Sequence, residues 1–196
     1  MQSAPRITVE VPVLAVGSGP SDFRELGSRV DALRRQQGLH LTLLHIGVLP
    51  DLAQEIADWT KGITAPGEAA GATAAWLKGL PVLGGFPASS GRLVLLGGGR
   101  VSGLEVDVPQ HVRDYQVSLV KALHELLDDL LVDNVDDFIL SSLALGFRYP
   151  RWTPHVAVGR PKTREHGPWE IKPLAIQFGE SRIRNRHFLP ASGGPQ

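Results

Sequence analysis

The sequence contains no cysteine in its 196 residues. Disulfides, thiolate zinc sites and cysteine nucleophiles are therefore excluded, and chemistry falls to histidine, carboxylate and hydroxyl groups. It also lacks any run of about 20 apolar residues, the length a helix needs to span a bilayer. The opening MQSAPRITVEVPV lacks the basic and then apolar layout of a signal peptide. These absences predict a cytoplasmic protein without a membrane partner. Net charge is absent too, formally zero at pH 7, so no global excess draws the chain to a polyanion. The length suits one domain and is too short for two independent enzymes.

The charge balance is global and not local. Glu125, Asp128, Asp129, Asp133, Asp136 and Asp137 form an acidic block with no basic residue among them. From Arg148 to Arg186 nine lysines and arginines stand against three glutamates. Such an excess suits a phosphate-bearing ligand; it is also what ordinary solvated charges on a β-rich C-terminal region would give.

Hydrophobic spacing outlines the elements. Ile7 to Val16 alternates, is rich in β-branched residues and ends at the Gly17 to Pro20 turn signal, so it reads as a strand. Phe23, Leu26, Val30 and Leu33 recur at spacings of three and four, with Ser21 or Asp22 as cap and Gly38 in the left-handed C-terminal place. This predicts a helix over 21–37. Leu39 to Leu49 reads as a strand, followed by short helices over 51–61 and 68–80. Strands over 92–96 and 101–106 flank a glycine turn at Gly97 to Gly99. Pro109 to Val132 carries the apolar stripe Val112, Tyr115, Leu119, Leu123, Leu126 and Leu130 and reads as a long core-facing helix capped by Asp107. Ser141 to Phe147, His155 to Gly159 and Ile171 to Phe178 complete the strands. Residues 1–188 are expected to form one domain and 189–196 a flexible tail. A helix before a histidine-bearing strand in each half suggests an α+β fold with internal duplication.

Two segments carry the chemistry. In His40, Leu41, Thr42, Leu43, Leu44, strand alternation puts His40 and Thr42 on one face and the first leucines on the other. An imidazole and a hydroxyl can then serve one small anion, moving a proton while holding a phosphate. In Thr153, Pro154, His155, Val156, Ala157, Val158, Gly159, Arg160, a histidine again opens an apolar strand. Each alone is also what a half-buried structural histidine looks like; the pair in matching context favours chemistry. His45, five residues beyond His40, has the wrong parity and is expected on the core side or the opposite surface. His124 begins HELLD, which lacks the second histidine of a zinc-protease helix. Tyr149 and Trp152, just before the second segment, either stack a nucleobase or simply pack.

With HLTLLHIG at His40 to Gly47 and PHVAVGR at Pro154 to Arg160, the sequence resembles the two-histidine (2H) phosphoesterase superfamily of 2′-5′ RNA ligase-like and 2′,3′-cyclic phosphodiesterase proteins. That superfamily carries one His-x-Thr/Ser motif per half. The likeness extends to Gly85, Phe86 and Pro87 before RLVLLG, to the long helix and to the closing PLAIQFGESRI, over roughly residues 8 to 186. One position departs: Ala157 stands where the second motif's hydroxyl belongs. Loss of one such donor lowers a rate by about a hundredfold, and Thr153, two residues before His155, is a substitute from the same face.

The resemblance implies a bilobal α+β fold, two antiparallel sheets with flanking helices around a central cleft. It also implies a monomeric phosphodiesterase that needs no metal or cofactor. A phosphodiester requires a base for the attacking water and an acid for the departing ribose oxygen, and two near-neutral imidazoles supply both. For hydrolysis of a 2′,3′-cyclic phosphate, His155 is the base and His40 the acid, with roles exchanged if a ribose hydroxyl attacks. Thr42 binds the phosphate, and Arg160 neutralises it or supports the strand. Substrates so implied are a nucleotide, a cyclic oligonucleotide or an RNA end.

Overall fold

The computed structural model describes residues 6–17, 22–145, 152–163 and 167–186. In chain order they form β1 (Arg6–Val16), β2 (Val30–Asp31), β3 (His40–Val48), α1 (Leu49–Trp59), α2 (Pro66–Gly79), β4 (Phe86–Leu96), β5 (Val101–Asp107), α3 (Gln110–Asp129), α4 (Val135–Ser141), β6 (His155–Pro161), β7 (Trp169–Phe178) and β8 (Arg182–Arg186). Every strand pairing is antiparallel. The fold is α+β, with helices flanking the strands as the sequence predicts. The strands run β2-β6-β3-β1-β7-β4-β5, and β5 pairs back onto β6. Six of them, β1, β3, β6, β5, β4 and β7, thus close a circuit, with β2 and β8 added at its flanks. One antiparallel group (β1, β3, β8) joins the other (β4, β5, β7) through β1–β7 on one side and β6 on the other.

Patterning explains most elements. On α3 and its C-cap, Val112, Leu119, Leu123, Leu126 and Leu130 are all under a tenth exposed, and each leucine so buried contributes about 1.5–3 kcal/mol. The helix starts from Pro109 without a side-chain cap, so Asp107, which ends β5, does not cap it. Gly97, Gly98 and Gly99 all have positive φ, the left-handed backbone their turn requires. No helix among the described residues is long and apolar enough to cross a membrane.

Two segments differ from expectation. In place of a helix over 21–37 stand a 3₁₀ turn (Phe23–Ser28), β2 and a second 3₁₀ turn (Gln36–Gly38). Phe23, Leu26 and Val30 are buried as the spacing implied, but a turn and a strand deliver them. Asp22 caps the turn through the Arg24 N–H at 2.9 Å, Gly27 and Ser28 are poor helix residues, and Val30 gains more by pairing with Pro161 on β6. Gly38 does not adopt a left-handed φ. With no helix ahead of β3, the repeated helix-then-histidine order is absent. The predicted strand over 141–147 is likewise replaced: α4 ends at Ser141, a turn follows to residue 145, and 146–147 lie outside the described residues. A left-handed Asn134 starts α4, and Asp136 and Asp137 sit in its first turn, where the helix dipole favours acids.

Candidate active site

β3 and β6 meet at one registered pair, Leu41 opposite Val156, both buried at 1% exposure or less. Counting outward from that pair, Thr42 faces His155 and His40 faces Ala157, all four half-buried on the opposite side of the sheet. The two histidines are therefore diagonal cross-strand neighbours, a spacing of about 7–8 Å along the backbone. A phosphate can sit between two such imidazoles and touch both.

Each ring is held in the same way. His155 Nδ1 lies 2.8 Å from the Thr153 carbonyl, and His40 Nδ1 lies 3.4 Å from the Gly38 carbonyl. In both cases the carbonyl belongs to the residue two positions earlier. A carbonyl oxygen only accepts, so Nδ1 carries the hydrogen and Nε2 is the ring atom left for proton transfer.

The sheet places a charged group beside each histidine. Thr42 pairs with Glu10 on β1, and Glu10 pairs with Arg182 on β8, so His155, Thr42, Glu10 and Arg182 form a row across four strands. The Glu10 side chain is fully buried, and its Oε2 lies 3.6 Å from His40 Nε2. Arg182 and Arg184 donate to Oε1 at 3.0 and 3.2 Å, and the Thr8 hydroxyl approaches Oε2 at 3.3 Å. Burying a lone carboxylate costs several kcal/mol, roughly, and only such partners make it tolerable. On the other side Glu105 faces His155 across β5 and β6. Its carboxylate is a third exposed and lies 3.4 Å from Arg92, which reaches Glu170 at 3.1 Å.

Other predicted residues fall variously. Trp152 is half-buried, and its indole N–H donates to the Thr42 carbonyl at 3.1 Å, tying the ring to the edge of β3. Thr153 is exposed and meets His155 through its backbone. Arg160 is exposed and pairs with Asp31 at the far end of β6, about 16 Å along the strand from His155 at the usual rise; the structure does not bring it to the histidines. Tyr149 lies outside the described residues. His45 departs from its predicted parity. Register shifts between β1 and β3 send both Leu43 and Leu44 into the core, and His45 ends exposed opposite Thr8, on the face of His40 and Thr42. His124 lies 3.6 Å from Asp136. Among the described residues, no three histidine or carboxylate side chains are grouped to hold a metal ion.

Glu10, Arg182 and Arg184 escaped the sequence reading. The available signal was a single carboxylate inside an otherwise apolar strand, two positions from Thr8, and arginines spaced by two in ESRIRNR.

No family model matches the chain, and no curated protein matches it. Solved structures similar to it include E. coli LigT complexed with 3′-AMP, with 12% identity, 94% of this chain and 96% of that chain covered, and a TM-score of 0.45. Another is a phosphoesterase with 15% identity, 93% and 95% covered, and a TM-score of 0.44. A third is TT0787 of Thermus thermophilus, with 14% identity, 91% and 83% covered, and a TM-score of 0.42.

Proposed function

We propose that the chain is a metal-independent phosphodiesterase of the 2H type, in which His40 and His155 act as an acid/base pair on a ribose-linked phosphate of a cyclic or oligomeric nucleotide. The observation that carries this reading is the shared face: two imidazoles on adjacent strands, diagonal to one another, each with Nδ1 on a carbonyl two residues upstream. In hydrolysis of a 2′,3′-cyclic phosphate, neutral His155 takes the proton of the attacking water. Protonated His40 gives its proton to the ribose oxygen as the P–O bond breaks. Thr42 lies between them and donates to a non-bridging oxygen. The Trp152 N–H donates to the Thr42 carbonyl, which fixes the indole beside β3.

Ala157 supports a second reading, a nucleotide- or RNA-binding relative without turnover, because the second hydroxyl is missing from the shared face. An enzyme for cyclic oligonucleotide signals, as in viral members of the superfamily, is a third reading within the first class. Purified protein with chelator, assayed against 2′,3′-cyclic nucleotides, 2′-5′ and 3′-5′ dinucleotides and cyclic di- and trinucleotides, separates them. Cleavage of any of these in EDTA is the expected result. Binding without cleavage across the panel selects the second reading, and activity lost to chelator discards the two-histidine mechanism.

A further inference from the structure

We propose that Glu10 is a positioning residue that holds His40 in its protonated form and so fixes it as the acid of the pair; this rests on the phosphodiesterase reading above. The two histidines share a face and a backbone contact, so nothing in the motifs themselves says which begins a turnover charged. Their carboxylate neighbours differ. Oε2 of Glu10, on a side chain with no exposure, lies 3.6 Å from His40 Nε2. That is ion-pair distance and beyond hydrogen-bond range, so the carboxylate favours positive charge on the ring without capturing the proton to be donated. Glu105, facing His155, is a third exposed and ion-paired with Arg92, so water and a guanidinium screen it.

Among the described residues, Arg182 and Arg184 from β8, His155 from β6 and His45 further along β3 share the face of His40. The two arginines oppose the effect of Glu10. Both bind Oε1, the oxygen other than the one nearest His40, and are 46% and 36% exposed, so solvent weakens their reach while the buried carboxylate acts at close range. At 3.6 Å the Glu10 carboxylate acts on His40 in the direction of imidazolium.

The test is the titration of His40, followed by NMR on the imidazole nitrogens, in the wild-type chain and in Glu10→Gln, with pH–rate profiles on a cleaved 2′,3′-cyclic mononucleotide alongside. Removing an opposite charge at this range is expected to lower the His40 midpoint by about one pH unit or more. The alkaline limb of the bell should move down with it, about a tenfold loss of rate above that limb, with the acidic limb in place. Arg182→Gln is expected to move the same midpoint upward. A purely structural role for Glu10 would not produce opposite signs, and Arg182→Gln also keeps the test open should Glu10→Gln fail to fold. An unmoved His40 midpoint in the variants overturns the proposal and leaves the two-histidine mechanism standing. A lowered midpoint accompanied by movement of the acidic limb overturns His40 as the acid. No turnover on any substrate, with the midpoints shifting as described, overturns the phosphodiesterase reading and not the coupling of Glu10 to His40.

Discussion

At the scale of single residues, acid and base form one unit, so their removal is not additive. His40→Ala and His155→Ala should each abolish most turnover, and the double variant should be little worse than either. Steady-state kinetics on the best substrate decide this, and near-normal turnover in either single variant removes the paired mechanism. Ala157 offers the opposite experiment, since it stands opposite His40 across the strands, on the shared face. Ala157→Thr should raise turnover by roughly 10- to 100-fold if a missing donor is all that limits the site. If the alanine instead makes room for a bulkier substrate, activity on cyclic oligonucleotides should fall while that on small cyclic mononucleotides is kept or raised. Unchanged kinetics on every substrate would place residue 157 away from the phosphate.

At the scale of elements, the glycine closing each motif has a packing reason. A Cβ on Gly47, whose φ is +77°, would lie 1.8 Å from the Ala144 carbonyl oxygen, and one on Gly159 would lie 2.5 Å from Val30 Cγ1. Gly47→Ala meets both a rigid backbone and a left-handed φ, and should destabilise the fold by about 2–4 kcal/mol in urea unfolding; a loss under about half a kcal/mol would show that the turn after α4 is not packed there. β8 makes a second case. Arg182→Gln with Arg184→Gln would leave a buried carboxylate without its guanidinium partners and should cost about 3–5 kcal/mol. Glu10→Gln should cost less, because it leaves guanidinium groups that already reach water. Equal losses would mean that the carboxylate finds solvent by itself. What was legible in the sequence was local. The alternation of His40 to Leu43 and the spacing of Val112 to Leu130 are set by neighbours in the chain, and the structure keeps both. Glu10 was not legible because its arginine partners stand 172 and 174 positions away. His45 was misplaced because a bulge changes parity without leaving a mark in composition. The helix expected over 21–37 had the right spacing but lost to a strand edge offered by β6, which lies more than a hundred residues further on.

At the scale of the whole molecule, six of the strands close one circuit, and we propose that residues 1–188 behave as a single domain. Urea unfolding followed by far-ultraviolet circular dichroism and by tryptophan fluorescence should therefore give coincident, single transitions. Two separated transitions would divide the halves that carry His40 and His155. The same circuit has a consequence for biosynthesis. β1 precedes the other described strands and has β7 and β8 as partners, so its pairing is complete only after about 170 further residues have been made, a topology of high contact order and slow closure. Until β8 arrives, Glu10 lacks the two guanidinium groups of Arg182 and Arg184 that help offset its buried charge. Completion of the histidine site is thereby tied to the emergence of β8, and a nascent chain interrupted before β8 would carry both histidines without the charge arrangement that distinguishes them.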